Sequence, residues 1–405
     1  MGMLAHLSYL SNIRGVGGSL KASPEHFVVE EMTSDGTVLE VGRKIERADE
    51  ALETENAADA KFTYFVLQKR SWDTHGALRA IGRQLGCGIK RFSYAGMKDR
   101  QALTTQLCGV YGFAPERVMG VRVKDIEILG AWPAAEKVRM GELMGNRFTV
   151  VVEGVEEGAA GRVGEICSDL NLRVPNYFGE QRFGMRGNSH KVGECILRVD
   201  FEGAVNEYLT GSGDESTEEN SEARGARRKL AEEKNFGEAL KYFPQHLKYE
   251  RMMLEHLART PTDFAGAIRR LPRGIMLLFV HAFQSHIFNR VLSERISAGE
   301  VNSETAVSET GNLVGADTAP TEREKKVLEE LRIEPENFRL KHMPELGSKG
   351  TERQLLAGLR EFSFEMLERS EGEGRAGRFR FMLGPGSYAT AVLREFVDLK
   401  SGPKR

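Results

Sequence analysis

The chain has 405 residues, with 57 Lys and Arg against 59 Asp and Glu for a formal net charge of −2; 40% of it is hydrophobic and 29% charged. That length implies about two domains with ample buried core, and the balance fits a soluble folded protein rather than a disordered or membrane one. A chain that is not basic overall must meet any polyanion through locally placed charge.

The N-terminal stretch MGMLAHLSYLSNIRG has neither the basic start and long apolar core of a secretory signal nor its small-residue cleavage site, and Gly2 lacks the downstream Ser or Thr of a myristoylation signal. Gly15 to Lys21, GVGGSLK, is glycine-rich but matches neither GxxxxGK[ST] nor a GxGxxG between strand and helix, so no phosphate cradle is predicted. Phe27 to Met32 alternates as a half-buried strand does, and Phe62 to Gln68 is aromatic and β-branched in the same manner. Asp73 or Thr74 caps a predicted helix whose apolar residues Ala77, Leu78, Ile81 and Leu85 recur at helical spacing before Gly86.

Tyr94 to Gln106, YAGMKDRQALTTQ, reads as a site. Gly96 allows a turn, Lys98 sets a cation beside Asp99, and a strand begins near Thr104. A neighbouring cation favours the ionised carboxyl group, the form needed to attack a carbon or stabilise a developing positive charge. A solvated surface turn is the plainer alternative. Between Gln68 and Arg100 stand Lys69, Arg70, Arg79, Arg83, Lys90, Arg91, Lys98 and Arg100 against only Asp73 and Asp99, a basic stripe that would attract a polyanion. Acidic residues gather instead in Glu46 to Glu55 and Asp214 to Glu222, both read as loops.

Gly141 to Phe148, GELMGNRF, is predicted as a turn with Arg147 facing phosphate or solvent; Arg147 to Glu153 is a strand and Arg162 to Leu170 a helix. Val174 to Gly184, VPNYFGEQRFG, offers Asn176, Phe178, Arg182 and Phe183 in one glycine-broken loop. Such a loop holds a flat base by amide contacts, stacking and phosphate pairing, or else is a hinge with core aromatics. Thr210 to Lys234 is nearly devoid of apolar residues and reads as a mobile loop. Helices are predicted for Leu247 to Leu257 and Gly274 to Ile296, the second with Phe279, Phe283, Ile287 and Val291 on its core face and His281, Gln284, Ser285, His286 and Asn289 as satisfied polar positions beside it. The longest apolar run, Ile275 to Val280, falls short of the ~20 residues of a membrane span. The tail, Arg378 to Phe396, reads as strand around a Gly-Pro-Gly turn.

Cys87, Cys108, Cys167 and Cys195 form no CxxC pair and the nine histidines no HExxH, so buried free thiols in a reducing compartment are expected and no metal.

Together, Lys21 to Glu30, Tyr94 to Gln106, Gly145 to Phe148, Val174 to Gly184 and Gly386 to Glu395 resemble the TruD family of tRNA pseudouridine synthases. The resemblance implies an α+β fold with a mixed, mainly antiparallel sheet: a catalytic domain from residues 1–190 and 360–405, and an inserted α/β accessory domain from 191–359. It implies isomerisation of a tRNA uridine, by family habit at position 13 of the D arm, without cofactor or metal, in the cytoplasm, by a chain for which a monomer is compatible. Asp99 would be the catalytic aspartate, with Lys98 neutralising and positioning it. Asn176 and Phe178 would hold the flipped uracil, Tyr388 would close the pocket where many members carry Phe, and Lys21, Phe27 and Glu30 would line its N-terminal side. A tRNA-binding or chaperone protein without turnover, and a hydrolase that frees the base, are the competing readings.

Overall fold

The computed structural model describes residues 3–20, 23–45, 60–211, 221–368 and 374–397. Glu46 to Glu55 and Lys21 lie outside the described residues, as does most of the second acidic stretch. The chain divides into two compact units: Met1–Asn12 with Val174–Leu356 and Thr390–Leu393, and Ile13–Arg173 with Ala357–Ala389 and Arg394–Arg405. Residues 174–190 therefore group with the helical unit, whereas the sequence boundary was drawn at 190/191.

The second unit is built on a nine-stranded sheet. Its central order is Arg360–Leu367, Ala376–Leu383, Gly145–Glu153, Phe27–Met32, Leu103–Tyr111, Phe62–Arg70 and Ile126–Ala134, with Ser19–Leu20 beside Gly145–Glu153 and Phe92–Tyr94 beside Leu103–Tyr111. Neighbours are antiparallel except Phe27–Met32 with Leu103–Tyr111, which run parallel from Val28 opposite Leu103. This is an α+β protein with a mixed, mainly antiparallel sheet. The helix Thr74–Leu85 covers one face; Asp73 caps it by accepting from Gly76 N at 2.8 Å, and Gly86 ends it at a φ of 74°. Its Ala77, Leu78, Ile81 and Leu85 are buried against Phe65, Leu67, Cys108, Val110 and Ile128, as the periodicity of both partners requires.

The helical unit centres on Arg273–Ser297, whose Phe279, Phe283, Ile287 and Val291 pack with Val192 and Ile196 of Ser189–Leu197 and Leu254 and Leu257 of Lys248–Arg259. At 25 residues this helix has the length and apolarity of a membrane span, beyond what its short apolar run suggested, but 67% of its most apolar window is buried inside the protein. Its polar side chains are satisfied in place: Gln284 donates to Val314 O at 2.7 Å, Ser285 to His281 O at 2.8 Å, and Asn289 to Phe178 O at 2.9 Å.

Three segments differ from their predicted form. Within Thr210 to Lys234, residues Ser221–Glu233 are a helix that buries Ala223, Ala226 and Leu230, and Arg227 pairs with Glu250 at 2.6 Å. Few apolar residues suffice when they recur on one helical face. After the Gly-Pro-Gly turn the tail forms the helix Ala389–Phe396 rather than a strand. Gly145 to Phe148, predicted as part of a turn, already belong to the strand Gly145–Glu153. Of the thiols only Cys108 is fully buried; Cys87, Cys167 and Cys195 are half-buried, and all four are free.

Gly145 has a φ of 153°, and a Cβ there would stand 2.1 Å from Leu383 O on the neighbouring strand. Gly145→Ala should lower stability by about 1–3 kcal/mol through this collision. Urea denaturation checks it, and an unchanged midpoint would contradict the close approach.

Candidate active site

The turn between Tyr94 and Leu103 has no sheet or helix to satisfy its peptide groups, and side chains from the surrounding elements do so instead. Gln106 donates to Gly96 O at 3.0 Å, while Thr74 at the helix start accepts from Lys98 N at 3.0 Å and donates to Gln106 at 2.9 Å. Gly141 N reaches Ala95 O at 2.7 Å. Lys69 Nζ donates to Asp99 O at 2.8 Å and to Trp72 O at 2.6 Å. The Asp99 carboxylate accepts from Gln101 N at 3.1 Å and is half-buried at the apex.

Lys98 has two partners that its sequence position did not suggest. Its ammonium turns inward to Glu31 Oε2 at 2.7 Å and donates to Asn146 Oδ1 at 2.5 Å. Glu31 is 1% exposed and its other oxygen accepts from Leu107 N at 2.9 Å, filling the ladder where the parallel pairing ends at Glu30 and Thr105. Because strand side chains alternate, Glu30 points to the opposite face. There Arg147 binds Glu30 Oε2 at 2.7 Å and Glu40 at 3.0 Å, and Val41 N donates to Glu30 Oε1 at 2.9 Å. Arg147 is thus a buried structural cation rather than a group facing phosphate, and the Glu30 carboxylate is fully occupied away from Lys98. On the Lys98 face lie Glu31, Asn146, Phe27 and Phe148; the last two rings meet edge to face at 6.3 Å, and Phe148 stacks on Phe381 at 5.5 Å.

Asn176 and Phe178 belong to the helical unit. Both ends of the Asn176 amide are engaged, Nδ2 donating to Gln354 O at 3.0 Å and Oδ1 accepting from Arg353 at 2.7 Å. Phe178 is 5% exposed, with the Arg353 guanidinium 4.0 Å from its ring centre and Phe288 edge-on at 5.7 Å. Neither offers an open edge or face in this conformation. Tyr388 lies in the sheet unit, half-buried, five residues beyond Leu383, the strand partner of Asn146.

The family model for TruD, tRNA pseudouridine synthase D, matches residues 3–307 and 301–396. The chain belongs to the TruD family of tRNA pseudouridine synthases. It is similar to proteins named "Probable tRNA pseudouridine synthase D" from Methanosarcina acetivorans, at 32% identity over 96% of this chain and 95% of that one. A protein of the same name from Methanopyrus kandleri is 41% identical over 83% and 85%. A crystal structure of the TruD protein of Methanosarcina mazei superposes with a TM-score of 0.71 at 31% identity, covering 98% of this chain and 96% of that one.

In this TruD chain, sequence reading missed Glu31, Lys69 and Asn146. The two-residue alternation that runs from Phe27 sets Glu31 apart from Glu30, and Asn146 carries no signal in sequence beyond its place in GNRF. The Glu31–Lys98 pair should be coupled. Lys98→Met is expected to lose about 3 kcal/mol by stranding a buried carboxylate, and Glu31→Gln combined with it should lose less. Denaturation of the single and double variants measures this; strictly additive losses would show that the two groups do not interact.

Proposed function

We propose that this chain isomerises a uridine of tRNA to pseudouridine, with Asp99 as the catalytic group and, by family resemblance, position 13 of the D arm as the target. The reaction breaks the bond from uracil N1 to the ribose C1′ and joins C5 to that carbon. Asp99 either attacks the anomeric carbon or initiates a glycal route. The observation that carries the reading is a half-buried carboxylate on a turn held by partners from several elements, since a group in fixed geometry loses little entropy on reaching the transition state.

The uracil edge is assigned to Asn146 in preference to Asn176; Phe148 and Phe178, 7% and 5% exposed, are both packed into the interior. Asn146 is half-exposed, its Oδ1 is taken by Lys98, and its Nδ2 has no protein partner among the described residues, leaving a donor for a base carbonyl. Phe27 and Phe148 supply the apolar wall that keeps water from the detached base. Tyr388 closes the pocket in this reading. The sheet unit acts as the catalytic domain, and the helical unit is the inserted domain that meets the tRNA body. The reaction runs in the cytoplasm, where four unpaired thiols are stable. Extruding the base from folded RNA costs a few kcal/mol, which stacking and phosphate contacts offset.

Asp99→Asn should abolish turnover while tRNA still binds. Incubation with uridine-labelled tRNA and separation of nucleosides reads the outcome: pseudouridine from the wild type supports the reading, free uracil indicates a hydrolase, and unchanged uridine with binding indicates a carrier. Full activity in Asp99→Asn would remove that residue from the chemistry. Binding should also weaken steeply as salt rises, because Arg79, Arg83, Lys90, Arg91 and Arg100 are exposed. Titration at several salt concentrations tests it, and a flat response would exclude phosphate contacts as the source of affinity.

A further inference from the structure

Lys69 is a cation with no exposed surface, and its ammonium is spent on backbone carbonyls. It stands in the strand Phe62–Arg70 opposite Thr104, on the face that carries Phe65 and Leu67 beneath the helix Thr74–Leu85. Nζ donates to Trp72 O at 2.6 Å, one residue before the helix cap, to Asp99 O at 2.8 Å, and more weakly to Lys98 O at 3.5 Å. Three carbonyls from two segments thus converge on three N–H groups. A charge buried in this way is costly, and a hydrophobic side chain would fill the space at lower cost if packing were its purpose.

We propose that Lys69 is a positioning residue for the reaction, fixing the peptide of Asp99, and hence the direction of its carboxylate, by holding its carbonyl from behind. The inference rests on the assignment of Asp99 as the catalytic group. A neutral amine keeps two N–H donors and turns a lone pair toward the third carbonyl, so the clamp requires the protonated form. Burial pulls the pKa of Lys69 from 10.5 down to about 8; Asp99, Asp73 and the Cys108 thiol on the facing strand oppose that shift, and Lys98 adds to it. The clamp therefore loosens as pH rises through about 8. Stability moves the other way. Between pH 8 and 10.5 the unfolded chain holds this proton and the folded chain does not, so the contribution of Lys69 to stability rises across that window.

Lys69→Met preserves length without the charge. In single-turnover assays on tRNA it should slow pseudouridine formation about 100-fold, the effect of a small displacement of a reacting group, with tRNA affinity changed less than about threefold. Its residual rate should be flat from about pH 7 to 9, whereas the wild-type rate should fall over the same range without any fall in melting temperature. A folded Lys69→Met protein with a rate within about threefold of wild type overturns the proposal. Should the variant fail to fold, the wild-type profile decides: a rate that stays level through pH 9 overturns the clamp. Asp99→Asn is run in parallel. If it is active, the underlying reading fails; if it is inactive while Lys69→Met is fully active, only the positioning role fails.

Discussion

Two buried lysines hold the irregular segment to which the proposed chemistry is assigned. The turn before Leu103 carries the Asp99 carboxylate at its apex and leaves its own peptide groups to outside partners. Lys69 supplies hydrogen bonds to its backbone, and Lys98, itself part of the turn, anchors it by reaching into the sheet to Glu31 and Asn146. Thr74, Gln106 and Gly141 complete the enclosure from a helix start, a strand and a second turn. A segment restrained by elements that are distant in sequence is fixed only once the sheet has assembled, so the geometry of the site is a product of the whole unit rather than of the motif.

The adjacent acids Glu30 and Glu31 show how this reach is organised. Alternation sends one to each face: Glu30 meets Arg147 directly across the strand pair, and Glu31 faces Asn146, with the Lys98 ammonium bonded to both. A slip of one residue would exchange the faces and leave both carboxylates unpaired in the interior. Buried ion pairs add little net stability, but here they penalise every wrong register between the Phe27–Met32 and Gly145–Glu153 strands. The same register sets Phe27 and Phe148 on the side of the turn.

Much of this was legible in sequence. The strands at Phe27 and Phe62, the Asp73 cap, the four apolar positions of the first helix and the core face of Arg273–Ser297 follow from period and cap chemistry, which act locally. That a turn at Gly96 leads into a strand near Thr104 was legible as well. The partners of its charges were not. Lys98 next to Asp99 reads as a pair, yet a side chain on a turn chooses among groups within reach in space, and a fully buried carboxylate outbids a neighbour in sequence. Lys69 and Arg70 read together as part of a basic stripe beyond the predicted strand, because only the helix that folds back over Lys69 makes that end an interior. The helix after the Gly-Pro-Gly turn was hidden by β-prone residues whose period is helical, and Ser221–Glu233 by composition counted without regard to face.

Charge counting carries the same lesson into RNA binding. Of the eight cations from Gln68 to Arg100, Lys69 and Lys98 are interior and Arg70 pairs with Glu25, so the field that a phosphate meets comes from five. The interior pair contributes geometry instead. Exposed cations act through counterion release, which salt screens; buried ones act through short hydrogen bonds that salt hardly reaches. On the proposed reading, capture of the tRNA and alignment of the carboxylate fall to different members of one basic stripe, and salt acts on the first far more than on the second.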